Sequence, residues 1–253
     1  MLKNLSNYYP SPHAAMLLCL ILTMTIFCFP MIARGCMTDM LIDQQYSVIG
    51  NVFDTQGNLI YIEKLDHIAN DSGGKLTTNY HLPDKTEIAY KVVNYDCRPT
   101  SPEFELLDLI NGKSEGAKWN ENQLLTFRNG EINPLSIPSG PTIFDAGFDN
   151  FVKLNWEVLL QDQSIIASYL SVRNERFIEL KLQKSKVPDS LKNEPIENLV
   201  FFKIESSNPF LKLITASLYI GYDKHSRFLK YYSGPSNLPI MKNKQVIIKY
   251  RNA

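Results

Sequence analysis

The chain predicts a mainly β, α+β fold: a large curved antiparallel sheet or half-barrel with one principal helix packed on it. Three observations carry this. Most segments between residues 46 and 250 alternate apolar with polar side chains and stop at Asn, Asp, Gly or Pro. Thirteen Tyr and thirteen Phe suit half-buried strands. Among the residues beyond the amino-terminal apolar stretch, Phe144–Leu160 (FDAGFDNFVKLNWEVLL) is the clearest candidate for a substantial helix.

The amino-terminal 35 residues stand apart. Ala14 to Phe29 is almost wholly apolar, with Lys3 the only firm charge before it. Ala33 and Gly35 are small residues at −3 and −1 of a cut before Cys36, which predicts a secretory signal peptide or a retained membrane anchor over 1–35. Residues 36–253 then form a single β-rich domain outside the cytoplasm, periplasmic or secreted, with membrane association through the amino terminus as one outcome. Removing 1–35 takes away Lys3 and Arg34, leaving 24 basic against 26 acidic residues. That near-neutral balance, without a basic patch interleaved with aromatics, argues against a nucleic-acid partner.

Tyr46–Phe53 and Leu59–Leu65 alternate around Asp54–Asn58, a hairpin signal. Lys75–Tyr80 and Glu87–Tyr95 form a second pair around Pro83-Asp84-Lys85. FDTQGNLIYIEK, YHLPDKTEIAYK and, later, YDKHSRFLKYY echo one another, as consecutive hairpins do. Cys97–Pro102 breaks the pattern, because proline lacks a ladder N–H and restricts its predecessor. Phe104–Ile110 suits a short helix or a strand, and Lys113–Trp119 a strand or loop. Leu124–Arg128 is a strand closed by Asn129-Gly130, a strong hairpin dipeptide. Asn133–Pro141, with prolines at 134, 138 and 141, reads as a rigid connector.

The helix expectation rests on Phe148, Phe151, Val152, Trp156 and Leu159, which recur at spacings of three and four. Asp145 is placed to cap the first turn, and Asp149 suits the positive helix end. Asn150, Lys153 and Glu157 are expected to face water. Gly147 weakens the first turn by about 1 kcal/mol relative to alanine. After it, Ser164–Val172 and Arg176–Leu182 pair around Arg173-Asn174-Glu175. Leu199–Glu205 is a strand, Asn208–Leu213 a helical turn or two, and Ile214–Tyr222, Arg227–Tyr232 and Gln245–Tyr250 are strands. The last is expected to close the fold, at an edge or paired.

Chemistry is sparse. No His-Glu-x-x-His, Gly-x-Ser-x-Gly or Cys-x-x-Cys spacing is present, and there is no phosphate loop, so neither a metal nor a cofactor is expected. Asp145 and Asp149 share a helical face, and Asp223, His225 and Arg227 share a turn; capping and solvation account for both. A curved sheet under a helix can leave an apolar cavity, whose lid would be Phe148, Phe151, Trp156 and Leu159. Cys36 and Cys97 have two readings. The Ala-Arg-Gly-Cys run resembles a bacterial lipoprotein processing site, although Leu is usual at −3 and a small uncharged residue at −2. Alternatively, Cys36 and Cys97 form one disulfide, as an oxidising compartment permits.

The export signal, the many hairpins, the helix between two β sections and the late YIGYD…KYYSG segment resemble the periplasmic lipoprotein carriers, whose half-barrels bind acyl chains. More broadly the chain resembles uncharacterised families of exported bacterial β-rich proteins. The resemblance implies a noncatalytic envelope protein binding lipid or another apolar ligand between sheet and helix. A structural or protein-interaction component of the envelope is the alternative. An extracytoplasmic hydrolase comes third, and it requires His81 or His225 to converge with two acids in a cleft.

Overall fold

The computed structural model describes residues 45–71, 73–208, 217–236, 238–241 and 244–253. The expected leader, Cys36, and the helical turn beyond Asn208 lie outside the described residues. One arm of the fold is made by β1 (Tyr46–Phe53), β2 (Leu59–Ile68), β3 (Lys75–His81), β4 (Glu87–Asn94), β5 (Glu103–Asp108), β6 (Lys113–Asn120), β7 (Gln123–Arg128) and β8 (Glu131–Leu135). The other is made by β9 (Thr142–Ile143), β10 (Ile165–Ser171), β11 (Arg176–Ser185), β12 (Leu199–Ser206), β13 (Leu218–Asp223), β14 (Leu229–Pro235) and β15 (Gln245–Asn252). Two helical segments, α1 (Gly147–Leu154) and α2 (Trp156–Leu160), sit between β9 and β10.

All fifteen strands belong to one sheet, which runs from β8 back to β1, crosses to β15, and runs back to β9. Within each arm, neighbours in the chain are neighbours in the sheet, and the pairs are antiparallel except β9 with β10. The joint between the arms is β1 with β15, where Gly50 faces Tyr250 and Val52 faces Ile248. The closing strand is therefore central.

Turn chemistry sets the register. Asn129 and Gly130 adopt φ of 51° and 89° between paired Arg128 and Glu131, the two-residue hairpin the dipeptide predicts. Asp54 accepts the backbone N–H groups of Gln56 and Asn58, and Asp223 those of His225 and Ser226. The three echoing segments are hairpins that share more than alternation. Each has a register shift beside its turn, at Val52/Phe53, Tyr80/His81 and Gly221/Tyr222. Such bulges sharpen local twist and help a long sheet to curl.

The curl brings the arms together without closing them. On β10, Ala167 faces the cluster beneath the helix, while Leu170, on the opposite side of the strand, packs with Phe104, Ala117 and Leu124 of the first arm. The tip of the β10–β11 hairpin thus sets its back against the inside of the first arm. Arg173 Nε donates to Glu115 Oε1 at 3.2 Å, and Asn133 Nδ2 donates to Glu175 Oε1 at 2.9 Å. No ladder joins β8 to β9, so the sheet remains open.

Of the two readings of Phe104–Ile110 the strand forms, as β5 followed by a turn in which Asp108 accepts the N–H groups of Ile110 and Asn111. Other expectations change. Part of the proline-rich connector is strand β8, since an edge strand tolerates Pro134. The helix is interrupted at Asn155. There the side-chain amide donates to Phe151 O at 2.8 Å, and the backbone N–H is shared between Phe151 O and Val152 O. Such back-bonding bends helices. Asp145 does not cap: it has φ 39° and pairs with Lys91, and Ala146 is the capping residue, with no side-chain bond. Asn150 is 5% exposed and donates to Pro99 O at 3.0 Å, so it faces the β4–β5 loop, not water.

Candidate functional site

The stripe residues meet in one place. Phe151, Trp156 and Leu159 are buried with Ile143, Val152, Leu182 and Phe202, and Phe148 is partly buried against the same cluster. Trp156 stands edge-on to Phe202 at 5.6 Å and to Tyr222 at 5.7 Å between ring centroids. Arg227 covers its outer side, 5.3 Å from the ring centre. The second arm supplies the floor because Val200, Phe202 and Ile204 on β12 and Ile220 and Tyr222 on β13 alternate inward.

The amino-terminal end of the helix is held by polar groups. Lys91 Nζ on β4 donates to Asp145 Oδ1 at 2.6 Å, with both side chains largely buried. Burial works against the lysine charge, but Asp145, helped by Tyr80, more than offsets it and holds Lys91 well above the ordinary lysine range. Asp149 accepts from Lys153 at 2.7 Å and from the Tyr222 hydroxyl at 2.9 Å. Burial first, and then Asp149, drive the Tyr222 hydroxyl well above the ordinary phenol range. Asp145 and Asp149 therefore serve as anchors to opposite arms. At Gly147 the backbone lies so close to the β4–β5 loop that a Cβ would stand 2.2 Å from Thr100 O.

A second interior group was not singled out from the sequence. Glu63 on β2 is 3% exposed and accepts from the Tyr250 hydroxyl at 2.6 Å. Tyr80 and Lys91 face the same interior, and Lys91 also bonds the Tyr80 hydroxyl. The signal was available: Tyr61, Glu63, Leu65 and His67 share one face of β2, and Ala89, Lys91 and Val93 one face of β4. A charge in phase with apolar positions marks a buried charge.

The histidines lie on separate elements. His67 is stacked on Tyr46 at 4.9 Å and meets Tyr95 edge-on at 6.0 Å. His81 ends β3, and His225 is exposed in the β13–β14 turn. Among the described residues no three His, Cys, Asp or Glu side chains converge as a metal site, and no helix is long and apolar enough to cross a membrane. Cys97 follows β4 with φ 60° and is disulfide-bonded; the other three cysteines, Cys19, Cys28 and Cys36, lie outside the described residues. An open cleft of about 630 Å³ lies between the β6–β7 turn (Asn120–Leu124) and Pro134–Ile137, away from the helix stripe.

The chain matches no protein-family model and no curated protein. Among solved structures it is similar to a β-barrel-like protein of domain of unknown function DUF1849 from Brucella abortus. The similarity covers 83% of this chain and 95% of that one, at 10% identity and a TM-score of 0.46.

Proposed function

We propose that the chain is an exported, noncatalytic envelope protein that acts by binding another envelope protein on its outer surface. One observation carries this reading. Trp156, Phe151 and Leu159 are in ring-edge and aliphatic contact with Phe202, Tyr222 and Leu182, as a packed core is. The interaction reading is thereby favoured over an acyl chain held between sheet and helix.

Export is supported by the apolar stretch Ala14–Phe29 and by the disulfide at Cys97, since such bonds persist in oxidising compartments. Its partner in this reading is Cys36. A nine-residue stretch such as 37–45 can reach at most about 30 Å, and Tyr46, His67 and Tyr95 lie in one row of ring contacts that ends two residues before Cys97. Cys36 in a disulfide is not available for a lipid thioether, so the two fates exclude one another.

The test is native mass spectrometry of the processed protein purified from the envelope, before and after lipid extraction, with crosslinking in intact cells from a photoreactive residue at Ile132, which with nearby Ile137 is an exposed apolar side chain at the β8 edge. Cargo-free protein and a single adduct of fixed mass, lost on Ile137→Lys, are expected. Stoichiometric acyl cargo would overturn the reading in favour of a lipid carrier. Non-reducing peptide mapping checks the Cys36–Cys97 link.

A further inference from the structure

Glu63 occupies the junction of the two arms. It faces Gly50 on β1 in one direction and Tyr80 on β3 in the other, and Gly50 faces Tyr250 on β15. The Glu63 side chain passes over Gly50 to reach the Tyr250 hydroxyl at 2.6 Å, so one hydrogen bond staples β2 to β15 across β1. The passage needs the glycine: a Cβ there would stand 2.8 Å from both Glu63 Cγ and Tyr250 Cε1.

The charges around this staple do not balance. Tyr61 from β2, Tyr80 from β3, Lys91 from β4, Tyr232 from β14, Tyr250 from β15 and Asp145 ahead of α1 are the ionisable groups that bear on Glu63. Lys91 is the cation among them, and Asp145 holds it at 2.6 Å. An ionised Glu63 would be a second buried carboxylate sharing a cation already paired.

We propose that the Glu63 carboxyl is a proton-binding site that governs the β1–β15 joint: with its proton the joint is tight, and loss of the proton loosens it. Burial raises the proton affinity of Glu63; the Tyr250 hydroxyl and Lys91 work against the rise and Asp145 adds to it. A carboxyl raised in the folded state contributes stability that is complete below its unfolded pKa and is lost as pH rises through its folded value. The joint therefore weakens on going from acidic toward neutral and higher pH.

Glu63→Gln keeps an acceptor for Tyr250 and is neutral at every pH. Thermal melts of wild type and variant from about pH 4 to about pH 8 are expected to diverge, with wild type losing about 2–4 °C or more relative to the variant. Hydrogen exchange should show β1 and β15 amides opening faster with pH than β6 and β7 amides of the same molecule, in wild type only. Parallel melting profiles, or equal pH responses in the two strand pairs, would overturn the proposal. A carboxyl carbon titration of Glu63 in the wild-type protein keeps the test decisive if the variant does not fold: ionisation at the ordinary glutamate pKa also refutes it.

Discussion

The two helical segments are fastened to the sheet by different physics. The entry to α1 meets the first arm through directional contacts: the Lys91–Asp145 pair, the Asn150 amide on Pro99 O, Phe144 N on Thr100 O, and the close backbone approach at Gly147. Across the Asn155 bend, α2 meets the second arm chiefly through buried Trp156 and Leu159, which make aromatic and aliphatic packing contacts, with the exposed Glu157–Arg227 pair at its rim. Net hydrogen bonds are individually modest, whereas a buried aromatic carries several kcal/mol. The first fastening thus sets where the helix begins, and the second supplies most of the energy that keeps it on the sheet.

Four single substitutions, one of them followed by a second-site rescue, sharpen or break that contrast, in falling order of effect. Trp156→Ala should cost about 3–5 kcal/mol in urea unfolding; a loss near zero would show that α2 is not the energetic anchor. Asp145→Ala leaves Lys91 buried without its carboxylate and should cost about 3 kcal/mol. Adding Lys91→Met should restore most of this, because an apolar pair of similar volume avoids the buried charge. Failure to restore would mean that the pair contributes energy beyond positioning. Gly147→Ala sets two effects against each other. Alanine gains about 1 kcal/mol of helix propensity, but its Cβ would meet the Thr100 carbonyl at 2.2 Å, and backbone does not yield as a side-chain tip does. Overpacking wins, with a net loss of about 1–3 kcal/mol and a crystal structure showing the β4–β5 loop displaced. Glu157→Gln removes the exposed partner of Arg227, 2.8 Å away, and should change stability by about 0.5 kcal/mol or less. A larger loss there would mean that the cover over Trp156 depends on this ion pair.

Alternation and turn dipeptides made the hairpins legible, including the Asn129-Gly130 turn, and helical spacing made the stripe legible down to Trp156 and Leu159. The misses have physical causes. Pro134 hid β8, because a proline is barred from central strands but not from an edge whose outer side has no partner. Asn155 passed as an ordinary helical residue; only its side-chain bond to Phe151 O reveals the bend. Asp145 sits where a capping residue belongs, yet a lysine 54 positions earlier claims its carboxylate. Local sequence cannot report such a long-range competitor. The Glu63 staple was hidden for the same reason, as its partner Tyr250 lies in the last strand.

The β1–β15 joint also imposes a timetable. Each arm is built from hairpins whose two strands follow one another in the chain, so both can form early. Their union pairs Gly50 with Tyr250 and must wait for the strand that follows all the others. Until then β1 exposes an unpaired backbone edge, and premature partners can take it. A protein with residues 245–253 deleted should form its arms and fail to join them.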